Sequence, residues 1–88
     1  MASITVGRKP LPVDANSFAG RVGMNVRKIR TTKGCSVEDA ASEAGIDRST
    51  WYRIEQGVRP GLTGRSIDDI AVMWNVDLSD LLRKPRVT

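Results

Sequence analysis

The sequence contains no histidine, and Cys35 is its one cysteine in 88 residues. A lone cysteine cannot close an internal disulfide, and without histidine there is neither a zinc-finger ligand set nor an imidazole base for a serine or cysteine nucleophile. A metalloprotein, a disulfide scaffold and a Ser-His-Asp enzyme are therefore not expected. Aromatic residues are few, one Phe, one Tyr and two Trp. Apolar runs are short, none near the roughly 20 residues of a membrane-spanning helix. The first residues lack the basic start, apolar stretch and cleavage site of a secretory signal. The carboxylates fall largely at helix starts and no nucleophile has a base beside it, so neither enzyme activity nor a cofactor is expected. The setting these absences predict is a soluble protein of the cytoplasm.

What remains is a hydrophobic fraction of 40%, enough for a core, and a length that allows one small domain. The net charge of +4 is unevenly spread. Residues 1–35 hold seven bases against Asp14, whereas residues 36–88 hold seven bases against nine acids. A basic half of this kind favours a polyanion, and nucleic acid is the commonest one in a cell.

Residues 1–16 contain Gly7, Pro10 and Pro12 without a helical period and read as a basic N-terminal arm. Residues 17–84 read as the folded domain and 85–88 as a tail. Ser17 is placed to cap a first helix carrying Phe18, Val22, Val26 and Ile29 on one stripe, ended by Gly34. Ser36 opens a second helix with Val37, Ala40, Ala41 and Ala44 on its apolar face, and Gly45 breaks it. Asp47 caps a third, where Ile46 and Trp51 have the spacing of a hydrophobic staple and Gly57 is the stop. Residues 58–65, with Pro60, Gly61 and Gly64, read as a loop. Ser66 and Asp69 read as the start of a fourth helix with Ile67, Ile70, Ala71 and Trp74 at i, i+3, i+4 and i+7. Asp77 and Asp80 mark a fifth, with Leu78, Leu81 and Leu82 apolar and Pro85 as its end. No segment alternates as a strand would, so the expected class is all-α with five short helices.

Residues 36–57 form the informative constellation. A short helix, a glycine-bearing turn and a second helix with a polar outer face make a helix-turn-helix, whose second helix, about 47–56, can enter the DNA major groove. Each base pair presents a distinct donor and acceptor pattern there, and reading it needs long or forked polar side chains near the helix start. Arg48, Ser49 and Arg53 are placed for this.

The segments VRKIRTTKG, CSVEDAASEAGIDRSTWYRIEQG and IAVMWNVDLSDLL resemble the lambda-repressor-like, Cro/XRE-type helix-turn-helix DNA-binding family over about residues 20–83. The resemblance implies a five-helix DNA-binding domain and a phage or bacterial transcriptional regulator, probing double-stranded DNA at a pseudo-palindromic operator as a homodimer, at least on DNA. It implies a structural ion pair between Arg30 and Glu55, base reading by Arg48, Ser49 and Arg53, and phosphate contacts near Ser36 and Val37, at Tyr52, and on the loop bearing Arg59 and Arg65. The sequence departs from the family in having Val37 where Gln is common, Trp51 for a smaller aliphatic residue and Ala40 for Leu. The 57–67 loop is also about one residue longer.

Blander readings stand beside these. Arg48 and Arg53 could be plain solvated charges, and Tyr52 suits phosphate, a thymine methyl or a protein partner equally. Lys28 on the first helix is either a phosphate contact or part of a solubilising face. Arg8 and Lys9 suit either a DNA-tracking arm or a disordered tail. Cys35 reads as a buried, inert thiol, and Trp51 and Trp74 as core. Alternative functions of the same family are an antitoxin-like or adaptor module that binds protein through Leu78, Leu81 and Leu82, and a DNA-bending accessory factor for phage recombination.

Overall fold

The computed structural model describes residues 17–58 and 63–84. Arg8, Lys9 and Arg59, with the expected arm and tail, lie outside the described residues. The described part contains five helices and no strand: α1 Phe18–Thr32, α2 Val37–Ala44, α3 Arg48–Gln56, α4 Gly64–Trp74 and α5 Leu78–Leu82.

Local chemistry sets the boundaries of these elements. Ser17 accepts a hydrogen bond from the Gly20 amide at 2.9 Å and Ser36 one from the Asp39 amide at 3.0 Å, each filling a donor that the first helical turn leaves unmatched. Gly45 ends α2 at φ 70° and Gly57 ends α3 at φ 68°, a left-handed conformation that glycine adopts without a Cβ clash. The fourth helix starts earlier than its sequence pattern predicts. Thr63 is the N-cap, and Ser66 stands three residues inside, where Thr63 and Ser66 bond each other's backbone amides in a reciprocal box. Asp69 is an interior residue of α4, and Gly64, expected in the loop, is its first residue. Asp77 does occupy the N-cap of α5, but its side chain makes no capping bond.

The core joins all five helices through Val22, Val26, Ala40, Ala41, Trp51, Ile54, Ile67, Ile70, Ala71, Trp74 and Leu81. Trp51 and Trp74 meet edge to face, with ring centroids 5.7 Å apart. Phe18, expected on the buried stripe, is 49% exposed and lies beneath the Arg21 guanidinium instead. Its place against α3 is taken by small residues: Gly20 and Gly23 are both buried. A Cβ on Gly23 would stand 2.3 Å from the Ile54 carbonyl oxygen, so the α1 and α3 backbones approach as closely as they do because position 23 has no side chain. Within the same first turns, α1 also secures α5. Asn25 Nδ2 donates to the carbonyls of Leu81 at 2.9 Å and Arg83 at 2.7 Å, and Arg21 Nε donates to Leu82 O at 3.3 Å. These bonds satisfy carbonyls that a five-residue helix cannot pair by itself.

Candidate nucleic-acid interface

The helix-turn-helix is formed by α2, the Gly45 turn and α3. Ile46 packs on the core just before the Asp47 cap, and Trp51 and Ile54 plant the inner face of α3. That register turns Arg48, Ser49 and Tyr52 outward, with Arg53 half-buried at the edge. The orientation of α3 is fixed from below by one buried carboxylate. Arg30 on α1 donates to Glu55 through Nε at 2.6 Å and Nη2 at 3.1 Å, and Trp51 Nε1 donates to the same carboxylate at 2.6 Å. Arg30 Nη1 also donates to the Cys35 carbonyl at 2.9 Å, so the connection between α1 and α2 is tied to the same cluster. With side-chain exposures of 13% for Arg30 and 5% for Glu55, the pair is shielded from solvent. The hydrogen bond to Glu55 raises the Arg30 pKa above its ordinary value, against the opposing effect of burial. Cys35 is half-buried, contrary to the expectation of a buried thiol.

The structure brings together the three residues expected to face bases and gives two of them partners within the chain. Arg48 Nη1 donates to Glu38 Oε2 on α2 at 2.5 Å, and both side chains remain well exposed, at 62% and 67%. The Ser49 hydroxyl donates to Asp47 Oδ2, which also accepts from the Ser49 amide at 3.0 Å. Arg53 makes no ion pair among the described residues. Glu38 is the residue that sequence reasoning missed. It stands ten positions before Arg48, and only the turn geometry makes them neighbours.

The bonds from Ser49, its hydroxyl first and its amide second, lower the Asp47 pKa. A carboxylate with a depressed folded-state pKa contributes stability that is complete above its unfolded pKa and disappears as pH falls through the folded one. Asp47→Asn keeps an oxygen acceptor for the cap, so it should leave the thermal midpoint at pH 7 nearly unchanged while making the midpoint less sensitive to acidification below pH 4. Melting curves of both proteins from pH 7 to pH 2.5 check this. Parallel curves would show that the Asp47 charge does not enter the cap.

The expected phosphate residues are dispersed. Ser36 caps α2 with its hydroxyl proton still available for donation. Its neighbour Val37 packs its side chain against the core. Tyr52 lies exposed on α3, and Lys28 is exposed on α1 beside Arg27. Arg65 is in the first turn of α4, 89% exposed and 3.9 Å from Asp69. Of the three C-terminal leucines weighed as a protein-binding surface, Leu81 is fully buried and Leu82 partly so, leaving Leu78 exposed. Among the described residues no group of His, Cys, Asp or Glu could hold a metal ion, and no helix is long and apolar enough to cross a membrane.

Residues 21–83 match the family described as "Helix-turn-helix domain". Among solved structures, the chain is similar to a hypothetical transcription factor NHTF from Neisseria, with a TM-score of 0.73 and 27% identity over 86% of this chain and 87% of that one. It is also similar to the restriction-modification controller protein C.AhdI from Aeromonas hydrophila, with a TM-score of 0.64 and 31% identity over 69% of this chain and 91% of the other. No curated protein sequence matches the chain.

Proposed function

The chain belongs to the helix-turn-helix domain family, and from that premise we propose that it is a sequence-specific, double-stranded-DNA-binding transcriptional regulator, a small repressor of phage or bacterial type. The observation that carries this reading is the outer surface of α3, where Arg48, Ser49 and Tyr52 stand exposed together at the start of a helix held rigidly by Glu55. A helix so presented fits the major groove with its first turn against the base edges. Arg48 and Arg53 would each fork onto the O6 and N7 acceptors of a guanine, and Ser49, whose proton points at Asp47, offers lone pairs to a base amino group. Tyr52, the Ser36 hydroxyl, Lys28 and Arg65 would hold phosphates, joined by Arg59, Arg8 and Lys9. One recognition helix spans too few base pairs to select a genomic site. Two copies on a pseudo-palindrome, with half-sites roughly 34 Å apart, would supply the rest.

Binding-site selection on random duplex DNA at two salt concentrations tests the proposal. Arg48→Ala and Arg53→Ala should each flatten the preference at one base position, a loss of about 1–3 kcal/mol of discrimination. Lys28→Ala should weaken all sequences alike and reduce the slope of log K against log salt by about 0.9, the contribution of one phosphate contact. Equal losses on selected and random DNA for the two α3 variants would remove base reading from these arginines.

A further inference from the structure

The contact between Glu38 and Arg48 places a carboxylate at the end of α3 that would enter the groove. Both side chains extend into solvent, and an exposed ion pair stabilises a fold by about 0–1 kcal/mol, so its contribution to folding is small. Its position matters more. In this arrangement an Arg48 guanidinium brought to a base edge carries Glu38 Oε2, 2.5 Å away, close to the same edge. A carboxylate there repels phosphate and lacks a proton to donate, so the DNA group that suits it is a hydrogen-bond donor. Glu38 Oε1 has no hydrogen-bond partner among the described residues.

We propose that Glu38 is a specificity-determining residue that, together with Arg48, reads both members of one G·C base pair. This inference rests on the DNA-reading role of α3 proposed above. In the major groove a G·C pair presents guanine N7 and O6, both acceptors, followed by the cytosine N4 amino group, a donor. The guanidinium of Arg48 and the carboxylate of Glu38 form the complementary series of donor, donor and acceptor. One proton on Arg48 Nη1 bonds Glu38, the other Nη1 proton and one on Nη2 reach O6 and N7, and the free Glu38 oxygen accepts from N4. A T·A or A·T pair presents its single amino group between two acceptors and does not match this series. A reversed C·G pair puts the amino group on the side away from α2. Because Glu38 is anchored on one helix and Arg48 on the next, the pair also sets which strand carries the guanine.

The test starts from the selected site and the guanine whose preference Arg48→Ala flattens. Replacing the cytosine opposite it by 2-pyrimidinone deoxynucleoside removes the N4 amino group while leaving guanine N7 and O6 in place. The unaltered protein should bind the modified duplex about tenfold more weakly, the value of one hydrogen bond to a charged acceptor. Glu38→Ala should bind both duplexes equally. Asp39→Ala, which removes an equal charge from the same exposed turn, should keep the tenfold difference. An unaltered protein indifferent to the amino group overturns the inference, as does a Glu38→Ala protein that still distinguishes the duplexes or an Asp39→Ala protein that no longer does. If Arg48→Ala flattens no position, the base-reading role of Arg48 falls and the inference with it. That outcome is separate from a failure of Glu38 alone.

Discussion

Glu55→Ala is expected to lower the thermal midpoint by roughly 20 °C. Removing one partner of a shielded ion pair costs about 3–5 kcal/mol, and each kcal/mol is worth about 4–8 °C in a domain of this size. The loss is large because Glu55 satisfies both the Arg30 guanidinium and the Trp51 indole, and its removal leaves a nearly buried cation and a buried donor unmatched. A stability of about 0.05–0.15 kcal/mol per residue leaves little reserve in an 88-residue chain, so the variant should be partly unfolded at 37 °C. The double variant Arg30→Met with Glu55→Leu should recover most of the midpoint, since apolar replacements strand no charge. Thermal unfolding followed by circular dichroism measures all three. A single variant that melts within a few degrees of the parent would show that this cluster does not hold α3 in place.

The second large effect concerns two glycines, with opposite signs. In a free helix alanine is favoured over glycine by about 1 kcal/mol, yet Gly23→Ala is expected to destabilise by about 2–3 kcal/mol. The added methyl would lie 2.3 Å from Ile54 O and 2.8 Å from Glu55 O, backbone atoms that no rotamer change can move. Relief requires α1 and α3 to separate, which would also lengthen the Arg30 to Glu55 contact. At Gly64, the first residue of α4, an added methyl would meet nothing within 4 Å. Gly64→Ala should therefore stabilise by about 0.4–1 kcal/mol by restricting the unfolded chain. Urea titrations of the two variants give the comparison directly. Equal and small shifts would mean that the helices tolerate a wider spacing.

Both effects show which parts of the fold the sequence announces. Caps and stops are local, so Ser17, Ser36, Asp47, Gly45 and Gly57 mark the ends of α1, α2 and α3 by their own chemistry. The all-helical class follows from the spacing of Ile67, Ile70, Ala71 and Trp74 and its counterparts. The start of α4 is harder to read, because Thr63 and Ser66 can each begin a helix and Gly64 between them has the appearance of a breaker. In α1 a search for an apolar stripe selects Phe18 and passes over Gly23 and Asn25. The burial of those two depends on what α3 and α5 present: a backbone carbonyl that excludes a methyl group, and loose carbonyls that need a donor. At the candidate interface the outward set on α3 is legible from helical phase. The contact of Arg48 with Glu38 is not, because it depends on the angle between two helices.

The bonds from Arg21 and Asn25 to the end of α5 have a topological consequence. They bring residues 81–83 against the first turns of α1, a few residues from Ser17, so the helical unit begins and finishes at one corner. A short peptide could join its ends and a new opening be made elsewhere, giving a circular permutant. For the same reason the unit could be spliced into a surface turn of a host protein as a self-contained insert, entering and leaving through adjacent points.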